Sequence, residues 1–477
     1  MRSELLDRFA ATTETIREPE QLRTYECDGL TGHRVVPALV ALPGSVDEVQ
    51  AVVRLCNEER IPFVARGAGT GLSGGALPVA EGIVISLARL TRILEIDVER
   101  GHVVVEPGVA NLDVTRAVAA DGFYYAPDPS SQQVCTIGGN VAENSGGAHC
   151  LKYGFTVNHV LAAEIVLPSG ELVELSVWDD GPGLLGAFVG SEGTLGIATK
   201  LTLRILRAPE AVRTLLAGFV HTDEAGAAVS DVIAGGILPA AIEMMDAVTI
   251  EAAEAAVNAN YPDGCGAVLI VELDGPVAQV DEDLARVESI CSENDAVEIR
   301  IASDPADRYA VWRGRKAAFA AMGRISPDYY VQDGVVPRTK LPSVLRRIDE
   351  LSQTHGLRVG NVFHAGDGNL HPLVLYDGRV EGEAVRAEAL SKQILEICVD
   401  AGGSITGEHG VGNDKACAMP LMFSEDDLAA MQRLRRAFDP LGLANPGKLF
   451  PTPRLCGEVP GPYRAHPLER AGLAERF

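Results

Sequence analysis

The chain has 477 residues, 47% of them apolar and 22% charged, with a formal net charge of −25. That length exceeds what one hydrophobic core organises, so two domains or more are expected, and the apolar load excludes wholesale disorder. The acidic balance excludes nucleic acid as a partner and an electrostatic grip on anionic lipid, because both need a basic face.

An anionic substrate would need its own local positive charge, from a metal or an arginine. The N-terminal stretch MRSELLDRFAATTET has no apolar signal-peptide core, and no apolar run reaches the length of a membrane span. A cytoplasmic location is expected, with any attachment at the inner membrane peripheral and made through partners. The nine cysteines, an odd number without a CxxC, fit reduced and mostly buried thiols. The same pattern argues against an iron–sulfur cluster held by this chain.

Residues 45–60 open on a capping box, with Ser45 as the cap and Glu48 as its reciprocal partner. Val46, Val49, Val52, Val53 and Cys56 then continue at helical spacing. IPFVARG (61–67) and GIVISL (82–87) predict short strands, and residues 93–109 predict a hairpin turning near Glu99–Gly101. Residues 111–122 predict a helix with Asn111 as cap and Gly122 as stop. A second hairpin is expected over 161–175, around Pro168-Ser169-Gly170. From about residue 208 the texture changes to longer elements, such as DEAGAAVSDVIAGG (223–236), AVLIVELDG (267–275) and DEDLARVESICSEN (281–294). The expected division is a helical lead-in (1–34), a first domain (35–210), a second domain (211–450) and a tail (451–477), loosely packed or used for assembly.

RGAGTGLSGG (66–75) places five glycines directly after a predicted strand. Backbone N–H groups can crowd a phosphate there because no side chain intrudes. GTGLSG (69–74) matches G-x-G-x-x-G, but that fingerprint must open a helix in a βαβ unit. Here Pro78, Gly82 and another strand follow, so the Rossmann reading is rejected. Taken alone, the cluster is explained equally well as a loop needing positive φ. Two more clusters, TIGGNVAENSGG (136–147) after APDPSS (126–131) and GSEGTLGI (190–197), favour a long ligand threaded past several loops.

The order and wording of these three loops resemble the flavin-linked oxidases of the vanillyl-alcohol-oxidase fold. The resemblance implies an α+β architecture, a two-part PCMH-type FAD-binding domain followed by an α+β substrate, or cap, domain. It implies FAD held by Arg66, Gly67, Ala68, Gly69, Thr70 and Gly71 in a pyrophosphate loop. A flavin-ring segment would contribute Pro129, Ser130, Thr136, Gly139, Asn140, Asn144, Gly146 and Gly147. Glu192, Gly193 and Ile197 would form a third loop, with Asn445 and Lys448 added near the C-terminus. Relatives with covalent flavin often carry His or Cys right after the R-G-x-G core; Thr70 stands there, so non-covalent FAD is expected.

HAGDGNLH (364–371) puts two histidines seven residues apart, and GSITGEHGVG (403–412) sets Glu408 beside His409 between glycines. Two histidines at that spacing, without context, are more often a turn that happens to contain them, and Asp367 before Gly368 is turn chemistry rather than a fourth ligand. Beside three flavin-like loops the metal reading is the better one. Imidazoles and a carboxylate suit Zn²⁺ or Mn²⁺, and His364, His371 and Glu408 would leave open positions for substrate. A 2-hydroxy acid would chelate through its hydroxyl and one carboxylate oxygen. His409 would remove the hydroxyl proton as general base, and the Cα hydride would pass to the flavin.

These two motifs together resemble the D-2-hydroxy-acid dehydrogenase branch of the family, over about residues 35–450. That branch holds the FAD-linked subunit of bacterial glycolate oxidase and the D-lactate dehydrogenases. The resemblance implies metal ligands at His364, His371 and Glu408, a base at His409 and a substrate-side Asn369. In VWRGRKAAF (311–319) it implies Arg315 as the carboxylate-binding arginine, a role suited to a guanidinium fork. Arg313, Lys316 and Arg324 read as a solvated helix face, and His149 in GGAHCLKYG as loop structure. Relatives acting on longer diacids carry a lysine shortly before the Asp-x-x-x-Pro run; Val331 and Gln332 stand here, which favours a small monocarboxylate.

PDYYVQDGVVP and NPGKLF favour the glycolate oxidase subunit over single-chain lactate enzymes. Glycolate to glyoxylate is therefore the first expected reaction and D-lactate to pyruvate the second. Electrons would pass to iron–sulfur and second flavin-fold subunits, or to oxygen, a quinone or a cytochrome. Two rivals remain at this point: a metallohydrolase using the same His, His and Glu, and an FAD-binding scaffold subunit without turnover.

Overall fold

The computed structural model describes residues 3–451. All but the first residue of the 451–477 tail lies outside the described residues. The first sheet has four strands, in the order Glu14–Ile16, Leu39–Leu42, Ile83–Ser86 and Phe63–Arg66, the last three parallel. The helix Val46–Glu59 makes the crossover and buries Val49, Val52, Val53, Leu55 and Cys56 against this sheet. Ser45 caps it by accepting the Glu48 N–H. Glu48 does not return to Ser45, which corrects the expected capping box. Its carboxylate accepts from the Gly44 N–H at 2.9 Å and the Thr13 hydroxyl at 2.7 Å, tying the helix start to the N-terminal segment.

The second sheet is antiparallel, in the order Ile93–Asp97, His102–Val105, Ile197–Arg204, Val160–Val166 and Leu172–Ser176, and contains both expected hairpins. Val114 and Val118 of the helix Asn111–Val118, and Ile137 and Val141 of the helix Ile137–Glu143, pack on its inner face with Val103, Val105, Leu201 and Leu203. Asn111 is not the helix cap; Ala110 takes that position. The loop around Pro127 packs over the helix start and buries Asn111, whose amide donates to Pro127 O and Asn140 Oδ1 at 3.0 Å each.

A nine-stranded sheet forms the rest of the chain. Its main path runs Glu298–Ile301, Ala211–Phe219, Ala267–Gly275, Ala241–Asp246, Val359–His364, Asn369–Leu370 and Gly334–Val335. Asp328–Val331 and Pro372–Tyr376 pair beside Val359–His364. The central strands are largely apolar because helices cover both faces. Val229, Val287, Leu345 and Ile394 pack from the helices on one face, and Ala253 and Ala318 on the other. The latter face receives Ala148 from the first half of the chain. After the helix Glu425–Phe438 the chain returns, and Ala444 bridges Phe63 in parallel beside the first sheet. Among the described residues no helix is long and apolar enough to cross a membrane.

Candidate active site

A cleft of about 480 Å³ opens between the two halves. Arg66, Gly67, Ala68, Gly69, Thr70, Gly71, Pro129, Ser130, Thr136, Gly139, Asn140, Gly146, Glu192, Gly193 and Ile197 line one side. The three glycine-rich loops thus share one wall, built mostly of backbone. Gly67 must lack a side chain: a Cβ there would stand 2.2 Å from Thr136 Oγ1, the hydroxyl that caps the helix Ile137–Glu143. Gly69 has φ 70°, a left-handed conformation that glycine adopts without strain.

Four residues expected on this wall are used elsewhere. Asn144 ends the helix Ile137–Glu143 at φ 52° and accepts the Val157 N–H. Gly147 packs against the Asp128 backbone. Asn445 donates to Gly75 O and Glu192 O, and Lys448 donates to Leu77 O, so both brace the loops from behind the cleft. They reach those loops because residues 443–445 rejoin the first sheet.

HAGDGNLH is a tight β-hairpin. The strand Val359–His364 ends on His364, the chain turns through Gly368 at φ 73°, and Asn369 pairs back with His364. Asp367 is a turn residue, its N–H bonded to His364 O. His371 follows two residues after Asn369 and meets His364 edge to face, with ring centres 5.0 Å apart. Glu408 Oε1 lies 3.1 Å from His364 Nε2 and 3.2 Å from His371 Nε2. His409 stacks on His371 at 4.8 Å, with its Nε2 3.9 Å from the same Glu408 oxygen. His364, His371, Glu408, His409 and Arg315 all line the cleft opposite the glycine loops.

Two buried carboxylates with no part in the expected site orient these groups. Glu243 accepts from Arg315 Nε at 2.8 Å and Nη2 at 2.7 Å, while its other oxygen meets His364 Nδ1 at 2.7 Å. Asp333 is fully buried and gathers the N–H groups of Gly407, Glu408 and His409 together with the Lys415 ammonium. Burial opposes ionisation of Glu408, but His364 and His371 reverse that and hold its pKa well below the usual range. Burial lowers the pKa of His409 to about 4, against the pull of Asp333 and with help from His371, so this ring is neutral near pH 7.

Asn369 is 3% exposed, packs against Gly407 and lies just behind the residues that line the cleft. Lys316 is not merely a solvated residue: it lines the cleft and sits 6.0 Å from the Trp312 ring. Arg313 and Arg324 are exposed and bond to main-chain carbonyls. His149 departs furthest from expectation, since its two ring nitrogens bridge Asp128 and Glu272. Glu243, Glu272 and Asp333 were missed although a signal existed for the first two. Each is the one glutamate of a largely apolar strand, AIEMMD or AVLIVELDG, and a buried carboxylate needs partners. Phe319, Tyr329 and Tyr330 add an aromatic wall that the motifs did not point to.

The family and the fold of this chain are shared with known proteins. The profile of the FAD binding domain family matches residues 37–176, and that of the FAD linked oxidases, C-terminal domain, matches residues 208–449. The chain is 50% identical to "Glycolate oxidase subunit GlcD" of Escherichia coli (strain K12), over 93% of this chain and 90% of that one. It is 34% identical to the D-lactate dehydrogenase of Anaerostipes hadrus, over 87% and 89%. Two solved structures share its fold. 4-Ethylphenol oxidase from Gulosibacter chungangensis has a TM-score of 0.80 at 19% identity, covering 95% of this chain and 98% of that chain. Substrate-bound p-cresol methylhydroxylase has a TM-score of 0.78 at 18%, covering 94% and 96%. The expected α+β, two-part PCMH-type architecture is therefore present, and the chain belongs to the FAD-linked oxidases, in the family of the GlcD glycolate oxidase subunits and the D-lactate dehydrogenases.

Proposed function

We propose that this chain oxidises a small D-2-hydroxy acid with the help of a divalent cation and non-covalent FAD. Glycolate to glyoxylate is the first reading, supported by the 50% identity to GlcD. D-Lactate to pyruvate is the second, supported by the 34% identity to a D-lactate dehydrogenase. The carrying observation is the meeting, across from the glycine loops, of a neutral His409, Arg315 and the donor atoms of His364, His371 and Glu408.

The donor set fits Zn²⁺ or Mn²⁺. Two imidazole nitrogens and one carboxylate oxygen lie within 4.8 Å of one another, and Glu243 on Nδ1 of His364 leaves Nε2 to face the cluster. When bound, the cation supplies a Lewis acid and FAD a two-electron acceptor. Arg315 takes the substrate carboxylate on the guanidinium edge that Glu243 leaves free. His409 accepts the hydroxyl proton at Nε2, the nitrogen that lies 3.9 Å from Glu408 Oε1 at the metal-ligand cluster. Phe319, Tyr329, Tyr330 and Val331 crowd the cleft with rings and a methyl pair, which favours a short monocarboxylate over a diacid. Electrons leave to iron–sulfur and second flavin-fold subunits, with the chain cytoplasmic and peripheral at the inner membrane.

Dye-linked turnover tests this reading. Glycolate and D-lactate should be oxidised and L-lactate not, activity should vanish after exhaustive chelation, and Zn²⁺ or Mn²⁺ should restore it. Turnover unaffected by complete metal removal would remove the cation from the proposal. Hydrolytic activity without any redox change would favour the metallohydrolase, and FAD binding with no turnover of any hydroxy acid would favour the scaffold.

A further inference from the structure

His149 stands where the two halves of the chain meet. Its Nδ1 pairs with Asp128 Oδ2 at 2.8 Å and its Nε2 with Glu272 Oε1 at 3.1 Å. Asp128 belongs to the loop before the second glycine cluster and lines the cleft, while Glu272 lies in the central strand Ala267–Gly275 of the large sheet. A neutral imidazole can donate from one nitrogen only, so two flanking carboxylates require the doubly protonated ring.

Glu272 is a hub. Beyond His149 it accepts from Thr214 Oγ1, Arg308 Nε and Nη2, and Trp312 Nε1, all at 2.7–2.8 Å. Arg308, Trp312 and Arg315 share the helix Pro305–Ala321, with Trp312 and Arg315 three residues apart on neighbouring turns. The His149 ring also stacks on Trp312, with centres 5.9 Å apart and planes 27° apart. One cation from the first half therefore holds both the carboxylate and the indole that anchor the Arg315 helix.

We infer that His149 is a positioning residue, a charged clamp that sets the Arg315 helix at its working distance from the cofactor wall. Its effect is on binding of the substrate carboxylate, a role that rests on the reading of Arg315 given above. The neighbouring contacts of Lys152 and Tyr153 with Asp274 also cross between the halves, but these side chains hydrogen-bond to Asp274 and not to that helix. They provide an internal control.

The test compares His149→Gln with Lys152→Met in the FAD-loaded full chain. His149→Gln should raise KM for the hydroxy acid about tenfold while kcat moves less than about threefold, the pattern of lost uniform binding. Lys152→Met should lower Tm and leave KM unchanged. An unchanged KM in FAD-loaded His149→Gln, or an equal KM rise in Lys152→Met, would overturn the clamp. Asp128→Asn removes the same charge pair from the other side and should give the same KM shift if His149→Gln does not fold. A readout independent of substrate separates this inference from the proposed reaction. Trp312 is one of two tryptophans. In a Trp178→Phe background its acrylamide quenching should rise at least twofold on His149→Gln; no change there would sink the clamp whatever the chain oxidises.

Discussion

The two walls of the cleft are made of different material. The cofactor wall is largely main chain, three glycine-rich loops in which Gly67 allows the Thr136 hydroxyl to close in and Gly69 takes a left-handed turn. The opposite wall is side chain, with imidazoles and a guanidinium held by two buried carboxylates, Glu243 in a strand and Asp333 in the link between two strands. A backbone site needs residues that are small and consecutive. A side-chain site needs partners brought from far along the chain: Arg315 and His364 lie 72 and 121 residues from the Glu243 that holds them both. Damage to the glycine loops should therefore leave the histidine and glutamate cluster able to hold a metal, and damage to Glu243 should leave the glycine loops able to hold FAD.

The largest expected effect is at the base. His409→Ala should lower kcat by about 10²–10⁴-fold while FAD content stays at the wild-type level. Turnover within a few-fold of wild type would reassign the proton acceptor. Next is Glu243→Gln. The amide would donate to Nδ1 of His364 and move the ring proton to Nε2, so metal affinity should fall about 10–100-fold with FAD retained. Metal titration followed by spectroscopy reads both quantities, and a joint loss of metal and FAD would break the separation of the walls. The converse variant is Gly67→Ala. Its Cβ must displace the Thr136 cap, at a cost of about 1–3 kcal/mol, so FAD should be lost on gel filtration while the metal stoichiometry holds.

The smallest effect is a pH dependence of stability. Burial works against a charged His149, but Asp128 and Glu272 outweigh it and raise its pKa to about 10. A group whose folded pKa is raised contributes stability that is complete below its unfolded pKa of about 6.5 and is lost as pH rises through the folded value. Thermal scans from about pH 7 to about pH 11 should show Tm declining more steeply for wild type than for His149→Gln. Parallel curves would mean that the bridge contributes no proton-linked stability.

This contrast also explains what could be read in the sequence. Hairpins, the glycine loops and the opposed His, Glu and His residues were legible because each depends on a few neighbouring residues. HAGDGNLH is the best case, since its own turn folds it back and delivers His371 next to His364. Local pattern misled where tertiary packing set the partner. Asn111 looks like a cap but serves the Pro127 loop, and Glu48 looks like half of a capping box but serves Gly44 and Thr13. Asn445 and Lys448 belong to the cofactor side, yet they brace its loops rather than line the cleft, because the returning chain runs behind them. His149 looked like loop filling because neither Asp128 nor Glu272 can be placed beside it from the sequence. A lone glutamate in an apolar strand was the readable trace of both Glu243 and Glu272, though not of what each would hold.

The most direct test is an anaerobic visible spectrum of the FAD-loaded, metal-loaded protein, recorded before and after glycolate, D-lactate and L-lactate in separate samples. The flavin bands should bleach with glycolate and with D-lactate, stay unchanged with L-lactate, and stay unchanged with all three in His409→Ala on the same timescale. Flavin that no hydroxy acid reduces in the wild-type protein, with metal and FAD both confirmed present, would contradict the account.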